Sequence, residues 1–411
     1  MKETRFKDTE IGRIPEDWNV VSLKEIGEFT KGQGISRAVA NSGSIPAIRY
    51  GEIYTTHNDY IKEFRSFISE DVAQYSTALK NGDILFTASG ETKEDIGKAV
   101  AYLSSDEEAY AGGDIIILSP KVPVDSKYLG FALNTKYSVK QKSSKAQGDA
   151  IVHITTDSIA SILTPIPPLS EQTRIASALT SIDNLISSLD KLIEKKKAIK
   201  EGTMQQLLTG KKRLKGFNEP WVEKELGELG TLECVPINPQ FFTNCVFAEY
   251  SMPSFDEDRN PRFVKGQEMC SSRLAIEGEV LLINKLNVRQ KRIWYLNECG
   301  NNAVCSGEFL PYKSSKVNLI LLRNILLTNK VVNDFVNMST GTSNSQKRVK
   351  SSNVLSYKIN IPLDINEQKA IANMLTSMDN EITVLEAKRD KYIKTKQGMM
   401  QQLLTGRIRL V

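Results

Sequence analysis

Two stretches of the chain carry apolar residues at helical spacing, and the stretches before them do not. In residues 170–214 and again in 366–410, apolar side chains recur at alternating steps of four and three residues. A mean spacing of about 3.5 residues places them on one narrow face of an α-helix, as in a coiled coil. The pattern therefore predicts two amphipathic helices with apolar seams, formed by Ile175, Leu179, Ile182, Ile186 and Leu189 in the first and by Ile371, Leu375, Met378, Ile382 and Leu385 in the second.

The two helical stretches are copies of one another. The first aligns with the second at an offset of 196 residues without a gap. Ser170 and Asn366 suit the N-cap position, and Gly210 and Gly406 suit the left-handed residue that ends a helix. Each helix is therefore expected to span about 39 residues, or about 58 Å.

A helix with one apolar face needs a partner that covers this face. Two copies in one chain predict an intramolecular antiparallel coiled coil, and a seam that pairs with another chain or docks a separate subunit is the alternative. Gly202 and Gly398 lie at equivalent positions inside the helices, where glycine costs about 1 kcal/mol relative to alanine. They indicate either the close approach of a neighbouring helix or glycines tolerated on the surface.

Each helix follows a longer stretch of short β-type runs separated by turn residues. Trp18 and Trp221 open the same Trp-x4-Leu frame, and both stretches end in Ile-Pro. Further helices are expected at 126–144 and 325–338. We predict an α+β fold with a pseudo-twofold internal repeat, divided into a first module (1–168), a first long helix (169–214), a second module (215–363) and a second long helix (364–411).

The positive charge of the chain is concentrated in the two helical stretches. The net charge is +5, and Lys and Arg exceed Asp and Glu clearly only in these stretches. Basic residues in long helices indicate either a nucleic-acid partner or a favourable interaction with the helix dipole. The five cysteines form no Cys-x-x-Cys pair, and neither a signal peptide nor a membrane-spanning run is present. We therefore expect a cytoplasmic protein with reduced thiols and no membrane partner.

No catalytic motif is complete in the sequence. Asn238-Pro239-Gln240-Phe241 approaches the loop with which adenine methyltransferases hold the base, but Gln240 replaces a proline and no methyl-donor loop precedes it. The phosphate-binding pattern Gly-x4-Gly-Lys-Ser/Thr is absent. No cluster of His, Cys and carboxylate residues has the spacing of metal ligands. We therefore expect no catalytic residue, metal or cofactor in this chain.

The combined motifs resemble those of the DNA-specificity subunits of type I restriction–modification systems. The resemblance covers nearly the whole chain, and no single motif carries it. It rests on the Trp-x4-Leu openings, the lead segments 168–172 and 365–368, the doubled Met-Gln-Gln-Leu-Leu-Thr-Gly at 204–210 and 400–406, and the segments 79–90 and 110–118.

This resemblance implies separate roles for the modules, the long helices and the partner subunits. Each module would be a target recognition domain that reads one half of a split, asymmetric DNA site, and the paired helices would set the gap between the halves. The chain would be non-catalytic and would dock two methyltransferase subunits that use S-adenosylmethionine. Two translocase-endonuclease subunits that use ATP and magnesium would complete the complex. The alternatives are a coiled-coil scaffold that binds no DNA, or the specificity subunit of a related methylation-only or fused restriction system.

Residues suited to DNA contact concentrate in loops. The segment Ser339–Lys350 has no hydrophobic period and combines amide side chains with cations. Arg and Lys suit the O6 and N7 acceptors of guanine, and Asn and Gln suit adenine. We predict DNA contacts from Asn344, Gln346, Lys347 and Arg348, and from Lys140, Lys142, Lys145 and Gln147 in the counterpart segment of the first module. An ordinary solvated loop is the alternative for both segments.

A second basic turn lies between two strand-like runs of the second module. It contributes the predicted DNA contacts Lys285, Asn287, Arg289 and Lys291. Its counterpart, Ser89–Lys98, is more acidic, which fits either a different half-site or an ordinary hairpin. His57 and His153 are expected to be structural or surface residues rather than catalysts.

Overall fold

The structure, a computed structural model, describes residues 4–104, 108–341 and 346–411. The chain divides into two compact units. Unit 1 comprises Met1–Asp190 and Ala387–Val411, and unit 2 comprises Lys191–Glu386. Each long helix therefore contributes one part to each unit.

Unit 1 combines short strands with short helices. Its strands are β1 (Phe6–Thr9), β2 (Gly12–Pro15), β3 (Asn19–Ser22), β4 (Gly27–Lys31), β5 (Ile45–Ile48), β6 (Ser66–Ile68), β7 (Thr77–Ala78), β8 (Ile84–Thr87), β9 (Ser89–Gly90), β10 (Ala99–Ala101), β11 (Tyr110–Ala111), β12 (Ile115–Pro120), β13 (Val152–His153) and β14 (Leu163–Ile166). Its helices are α1 (Leu23–Ile26), α2 (Tyr50–Thr55), α3 (Glu70–Ala73), α4 (Ser126–Ala132), α5 (Lys136–Lys145), α6 (Thr156–Ala160) and the first part of α7 (Leu169–Leu207).

Unit 2 repeats this mixture. Its strands are β15 (Trp221–Glu225), β16 (Thr231–Leu232), β17 (Val235–Ile237), β18 (Val246–Tyr250), β19 (Arg262–Lys265), β20 (Arg273–Ala275), β21 (Val280–Asn284), β22 (Ile293–Leu296), β23 (Ala303–Cys305), β24 (Phe309–Lys313) and β25 (Lys358–Pro362). Its helices are α8 (Leu226–Leu229), α9 (Met252–Glu257), α10 (Leu319–Leu326), α11 (Asn329–Met338), α12 (Ser351–Leu355) and the first part of α13 (Ile365–Leu403).

The two units share their sheet topology. An antiparallel sheet has the order β10-β8-β12-β4 in unit 1 and the corresponding order β22-β21-β24-β16 in unit 2. A second sheet, with the order β6-β5-β11-β7, corresponds to β19-β18-β23-β20, which β17 extends by one strand. Each second sheet has one parallel pair, β5 with β11 and β18 with β23. The predicted α+β repeat is therefore confirmed.

The helices predicted inside the modules differ in detail from those observed. The helix expected at 126–144 is two helices, α4 and α5, because the side chain of Thr135 accepts a hydrogen bond from Ser138 N–H and starts a new helix. Its counterpart is also a pair, since α10 ends at Leu326 before α11 begins at Asn329. The prediction of one continuous helix at 126–144 was therefore wrong, whereas the helix predicted at 325–338 corresponds to α11, which begins four residues later and ends at the predicted residue.

The long helices α7 and α13 each contain 39 residues, as expected. They begin one residue before the predicted N-caps, because the Asp364 carboxylate accepts from Asn366 N–H and the Pro168 carbonyl accepts from Glu171 N–H. The N-cap assignments to Ser170 and Asn366 were therefore wrong. Gly210 and Gly406 both have a φ of 68°, which is the left-handed conformation predicted for the helix ends.

Ion pairs show that α7 and α13 run antiparallel within each unit. In unit 1, Asp183 and Asp190 of α7 pair with Lys396 and Arg389 of α13, so that the residue numbers run in opposite directions. In unit 2 the pairs are Lys196–Glu381, Lys197–Glu386 and Lys200–Asp379. The prediction of an antiparallel coiled coil is confirmed.

The apolar seam has two kinds of neighbour. The first two seam residues of each long helix are fully buried. Ile175 and Leu179 belong to the core of unit 1, and Ile371 and Leu375 belong to the core of unit 2. Ile182, Leu189 and Ile382 are also buried, whereas Ile186, Met378 and Leu385 are only partly buried. The seam thus packs on the module cores as well as on the opposite helix.

The glycines inside the long helices are surface positions. A Cβ atom added at Gly202 or Gly398 would have no atom within 4 Å. Among the described residues, no neighbouring helix approaches either glycine. The interpretation of these glycines as sites of close helix approach was therefore wrong, and the alternative, glycines tolerated on the surface, agrees with the structure. Within the described ranges, no helix has both the length and the apolar character needed to cross a membrane.

Residues of the repeated motifs contact one another in unit 1 and form a hydrogen-bonded cluster, which we call the Glu–Arg–Trp clasp. Glu171, in the first turn of α7, accepts hydrogen bonds from Nε and Nη2 of Arg409, each at 2.7 Å, and from Nε1 of Trp18 at 3.1 Å. The Arg409 guanidinium lies 5.7 Å from the Trp18 ring. The adjacent Gln172 accepts from the backbone N–H of Asp125 at 2.9 Å.

Unit 2 contains the same clasp. Glu367 accepts from Nε and Nη2 of Arg213, each at 2.6 Å, and from Nε1 of Trp221 at 3.4 Å. Gln368 accepts from the backbone N–H of Asn318 at 2.7 Å. In each unit, the lead segment of one long helix therefore contacts the segment that follows the other long helix. This contact explains why both segments are repeated in the sequence.

Candidate nucleic-acid interface

The two basic segments predicted in the second module lie side by side in unit 2. The backbone N–H of Asn287 donates to the Lys347 carbonyl at 2.9 Å, and the Val349 N–H donates to the Lys285 carbonyl at 3.0 Å. Leu286 also pairs with Arg348 in an isolated β-bridge. Residues 284–292 and 346–350 therefore form one continuous surface, which we call the unit 2 loop pair.

Hydrogen bonds impose the shape of the turn that follows β21. The amide of Asn284, a side chain that is 2% exposed, donates to the Leu286 carbonyl at 2.6 Å and accepts from the Leu286 N–H at 3.0 Å. Asn287 and Lys291 adopt φ angles of 49° and 52°, which are uncommon for residues with a Cβ atom. Such backbone conformations occur preferentially at functional sites.

The structure places most of the predicted cations of unit 2 on this surface. Arg289, Lys291 and Gln346 are exposed, and Lys285 and Lys347 are partly exposed. Lys291 Nζ donates to the side-chain oxygen of Asn329 at 2.7 Å, which ties the turn to α11. Asn344, also predicted to contact DNA, lies outside the described residues.

Arg348 is held in a defined orientation. Its side chain is 50% exposed, and its Nη2 and Nε atoms lie 2.8 Å and 3.1 Å from the carboxylate oxygens of Glu308. The hydrogen bond from Arg348 lowers the pKa of Glu308 below its usual value, so the carboxylate stays charged. Charge-assisted paired hydrogen bonds fix the plane of a guanidinium group.

Unit 1 has the same backbone arrangement with different side chains. β9 pairs with β13 so that Ser89 lies opposite His153. The backbones of Gln147 and His153 exchange hydrogen bonds of 2.9 Å and 2.8 Å, as those of Thr340 and Arg348 do in unit 2 at 2.9 Å each. Residues 88–98 and 145–153 therefore form the unit 1 loop pair.

A partly buried tyrosine makes hydrogen bonds to the backbone of the unit 1 loop pair. The Tyr54 hydroxyl donates to the Ser89 carbonyl at 2.9 Å and accepts from the Thr87 hydroxyl at 2.7 Å. Burial raises the pKa of Tyr54 to about 12, so the hydroxyl keeps its proton at neutral pH. This keeps the donor to Ser89 in place.

One predicted contact of unit 1 is wrong. Lys140 and Gln147 are exposed and Lys145 is partly exposed, but Lys142 is only 1% exposed. Its Nζ atom donates to the carbonyls of Gly97 at 2.6 Å and Leu133 at 2.8 Å. Helical periodicity is the reason, since Lys142 lies one turn after the buried Ser138 on the inner face of α5.

His153 closes the predicted basic segment of the first module but was not itself among the predicted DNA contacts. It is exposed and lies where Arg348 lies in unit 2, and its Nδ1 atom is 2.9 Å from the Ser89 hydroxyl. A sequence signal does exist, because His153 and Arg348 each precede a buried aliphatic residue and then a short helix, α6 or α12. In the described part of the chain, no group of three His, Cys, Asp or Glu side chains is arranged to hold a metal ion.

Comparison with known proteins agrees with these features. The type I restriction modification DNA specificity domain matches residues 15–201 and 218–395, one copy for each repeat. The chain belongs to this family. The resemblance inferred from the sequence motifs is thereby confirmed.

Named relatives cover the whole chain. A putative type I restriction enzyme MjaX specificity subunit from Methanocaldococcus jannaschii is 27% identical over 100% of the chain and 98% of the relative. The MjaVIII specificity subunit of the same organism is 24% identical over 100% of the chain and 97% of the relative. The similarity to these specificity subunits thus includes both modules and both long helices.

Two solved structures share the fold. The crystal structure of a type I restriction–modification S subunit from M. genitalium has a TM-score of 0.60 at 12% identity and covers 94% of this chain and 96% of that one. A chain from a study of complex assembly and conformational transition of the type I system has a TM-score of 0.58 at 14% identity, and covers 96% of this chain and 99% of that one. The architecture predicted from the repeat is therefore that of known S subunits.

Proposed function

We propose that this chain is the sequence-specific DNA-binding specificity subunit of a type I restriction–modification complex in the cytoplasm. Each target recognition domain reads one half of a split, asymmetric site through its loop pair, and the antiparallel helices set the gap between the halves. The observation that carries this proposal is one backbone arrangement that occurs twice with different exposed side chains.

The chemistry of the loop pairs supports the reading of two different sequences. The unit 2 loop pair presents Arg289, Lys291 and Arg348, whereas the unit 1 loop pair presents Gln147 and His153. Direct readout depends on which donors and acceptors face the base edges. Equivalent scaffolds with unlike side chains are therefore expected to select unlike half-sites.

In this proposal, partner subunits carry out the catalytic steps. Two methyltransferase subunits, which bind S-adenosylmethionine, dock on the chain, and two restriction subunits, which use ATP and magnesium, complete the assembly. Support comes from the relatives, which are named as specificity subunits of restriction enzymes. The chain itself supplies recognition and spacing.

A module exchange tests this function. Residues 15–168 are replaced by the equivalent module of a related protein with a known site, and the methylated sequences are determined by single-molecule sequencing with the partner methyltransferase present. One half of the methylated site should change while the other half and the gap stay the same. The matched control exchanges residues 221–362, which should change the opposite half. A change in both halves from either exchange would refute independent reading.

Salt dependence separates this function from that of a scaffold without DNA binding. Each phosphate contact contributes about 0.9 to the slope of log affinity against log salt concentration. Replacing Lys285, Arg289 and Lys291 with alanine should therefore reduce the slope of the methyltransferase complex by about 3. The charge-matched control replaces the exposed Lys211, Lys212 and Lys215 and should leave the slope unchanged. An absence of DNA binding by the native complex would favour the scaffold, and binding that is independent of salt would contradict phosphate contacts by these residues.

A further inference from the structure

His153 and Arg348 occupy the same place in the two units. Each exchanges paired backbone hydrogen bonds with a residue just after a helix, Gln147 after α5 and Thr340 after α11. The residue that follows each one donates its N–H to the turn after the equivalent strand, at 3.0 Å in both units. The equivalence is therefore defined by hydrogen bonds and not by sequence similarity.

Glu308 binds only one edge of the Arg348 guanidinium group. Its bonds to Glu308 use Nε and Nη2, and a guanidinium group has five N–H donors. The edge formed by Nη1 and the second proton of Nη2 is not used by Glu308. Two parallel donors of this kind match the O6 and N7 acceptors of guanine.

His153 is held by a neighbour in the same way. Its Nδ1 atom lies 2.9 Å from the hydroxyl of Ser89, and Ser89 is 6% exposed. The Ser89 carbonyl is in turn bound by the hydroxyl of Tyr54. When the serine hydroxyl donates to Nδ1, the neutral ring carries its proton on Nε2. The exposed ring then offers one donor, which matches the N7 acceptor of a purine.

We propose that His153 and Arg348 are the specificity-determining residues at equivalent positions of the two half-site readers, and that Ser89 and Glu308 position them. This inference rests on the proposed function, because it assigns a base-reading role within the same loop pairs. Arg348 selects guanine at one position of its half-site, and His153 selects a purine at the matching position of the other.

The test measures base discrimination rather than affinity alone. The complex with its methyltransferase is assayed on duplexes in which each base pair of the site is varied in turn. Arg348→Lys keeps the charge but removes the paired donors, and it should reduce discrimination at one position of one half-site by about 5- to 150-fold. His153→Ala should relax one position in the other half-site only. Arg262→Lys is the matched control, because Arg262 is an exposed arginine paired with a carboxylate, that of Glu257, outside the loop pair, and it should leave every position unchanged.

The positioning residues have their own variants. Glu308→Ala and Ser89→Ala leave the reading side chains present but free to rotate. Each should lower discrimination at the same position as its partner, whereas binding to non-specific DNA should stay within about twofold, since non-specific binding depends on phosphate contacts. Thermal unfolding of each variant checks that the fold is intact.

The outcomes separate this inference from the proposed function. If Arg348→Lys and His153→Ala retain full discrimination while native binding stays selective and salt-dependent, the assignment of these readers is overturned and the specificity function stands. Equal weakening on all sequences would mark them as phosphate contacts and would also overturn the assignment. If the native complex shows no sequence preference, the proposed function itself fails.

Discussion

Arg409, in the segment that follows α13, and Glu171, in the first turn of α7, are joined within unit 1 by paired hydrogen bonds of 2.7 Å each. The Glu171 side chain is 1% exposed, and Arg409 is 12% exposed. Arg409 also donates to Asp17, and these two carboxylates raise its pKa above the usual value. The residues belong to the segments that are doubled in the sequence, so the repetition has a structural reason in this clasp.

Arg409→Ala is expected to destabilise unit 1. The substitution leaves the buried Glu171 carboxylate without its cation, and removing one partner of a buried ion pair typically costs about 3–5 kcal/mol. Urea unfolding followed by circular dichroism measures the change. Arg407→Ala is the control, because Arg407 is exposed in the same segment, and it should have little effect. Equal stability of the two variants would contradict a structural role of the clasp.

The ion pairs between lysine and aspartate side chains of the long helices are expected to contribute more to stability in unit 1 than in unit 2. Lys396 lies 2.8 Å from both Asp59 and Asp183, and all three side chains are at most 14% exposed. Lys396→Met would leave two buried carboxylates unpaired and should cost about 3–5 kcal/mol.

The equivalent lysine of unit 2 provides the control for this comparison. Lys200 pairs with Asp379 alone, and their side chains are 21% and 38% exposed. Lys200→Met should therefore cost about 1 kcal/mol or less, because water screens a more exposed pair. The midpoints of chemical unfolding of the two variants give the comparison, and equal losses would show that the Asp59 contact adds nothing.

Lys142 should make the stability of unit 1 depend on pH. Burial lowers the pKa of Lys142 to about 7 in the folded protein, whereas an unfolded lysine has a pKa of about 10.4. The unfolded state therefore binds more protons between these values, and stability should rise with pH across this window. Below pH 7 both states are protonated, so the full cost of the buried charge is present.

Comparison with Lys142→Met isolates this contribution. Between pH 7 and pH 9 the native chain should gain about 1–3 kcal/mol relative to the variant, in which position 142 does not titrate. Thermal or urea unfolding at a series of pH values provides the measurement. Parallel pH profiles for the two proteins would mean that Lys142 does not change its protonation state on folding.

Gly202→Ala and Gly398→Ala should each stabilise the long helices. An added Cβ atom meets nothing within 4 Å at either position, and alanine is favoured over glycine inside a helix by about 0.5–1 kcal/mol. Gly230→Ala is the contrasting variant, since its Cβ atom would collide with the carbonyl oxygen of Lys313. A loss of stability in the two helix variants would contradict the surface position of these glycines.

Part of the site could be predicted because its residues are neighbours in the chain. The turn at 284–292 and the segment at 346–350 were recognised from their local composition. Their contact through Asn287 and Lys347 was not predicted, because residues far apart in sequence make it. Lys142 was misplaced for a related reason, since composition alone does not tell which face of a short helix packs on the core.

Sequence patterns alone predicted the repeat, the two long helices and the family resemblance, and they favoured antiparallel pairing within the chain while leaving a separate partner as the alternative. Hydrophobic periodicity is read from residues that are near one another in the sequence, and duplication is read by aligning two segments, so neither requires knowledge of which distant residues are in contact. The pairing of Glu171 with Arg409, the burial of Lys142 and the equivalence of His153 and Arg348 became known only from the fold. These facts depend on how segments that are remote in the chain pack together, and packing is set by the whole core rather than by a local pattern.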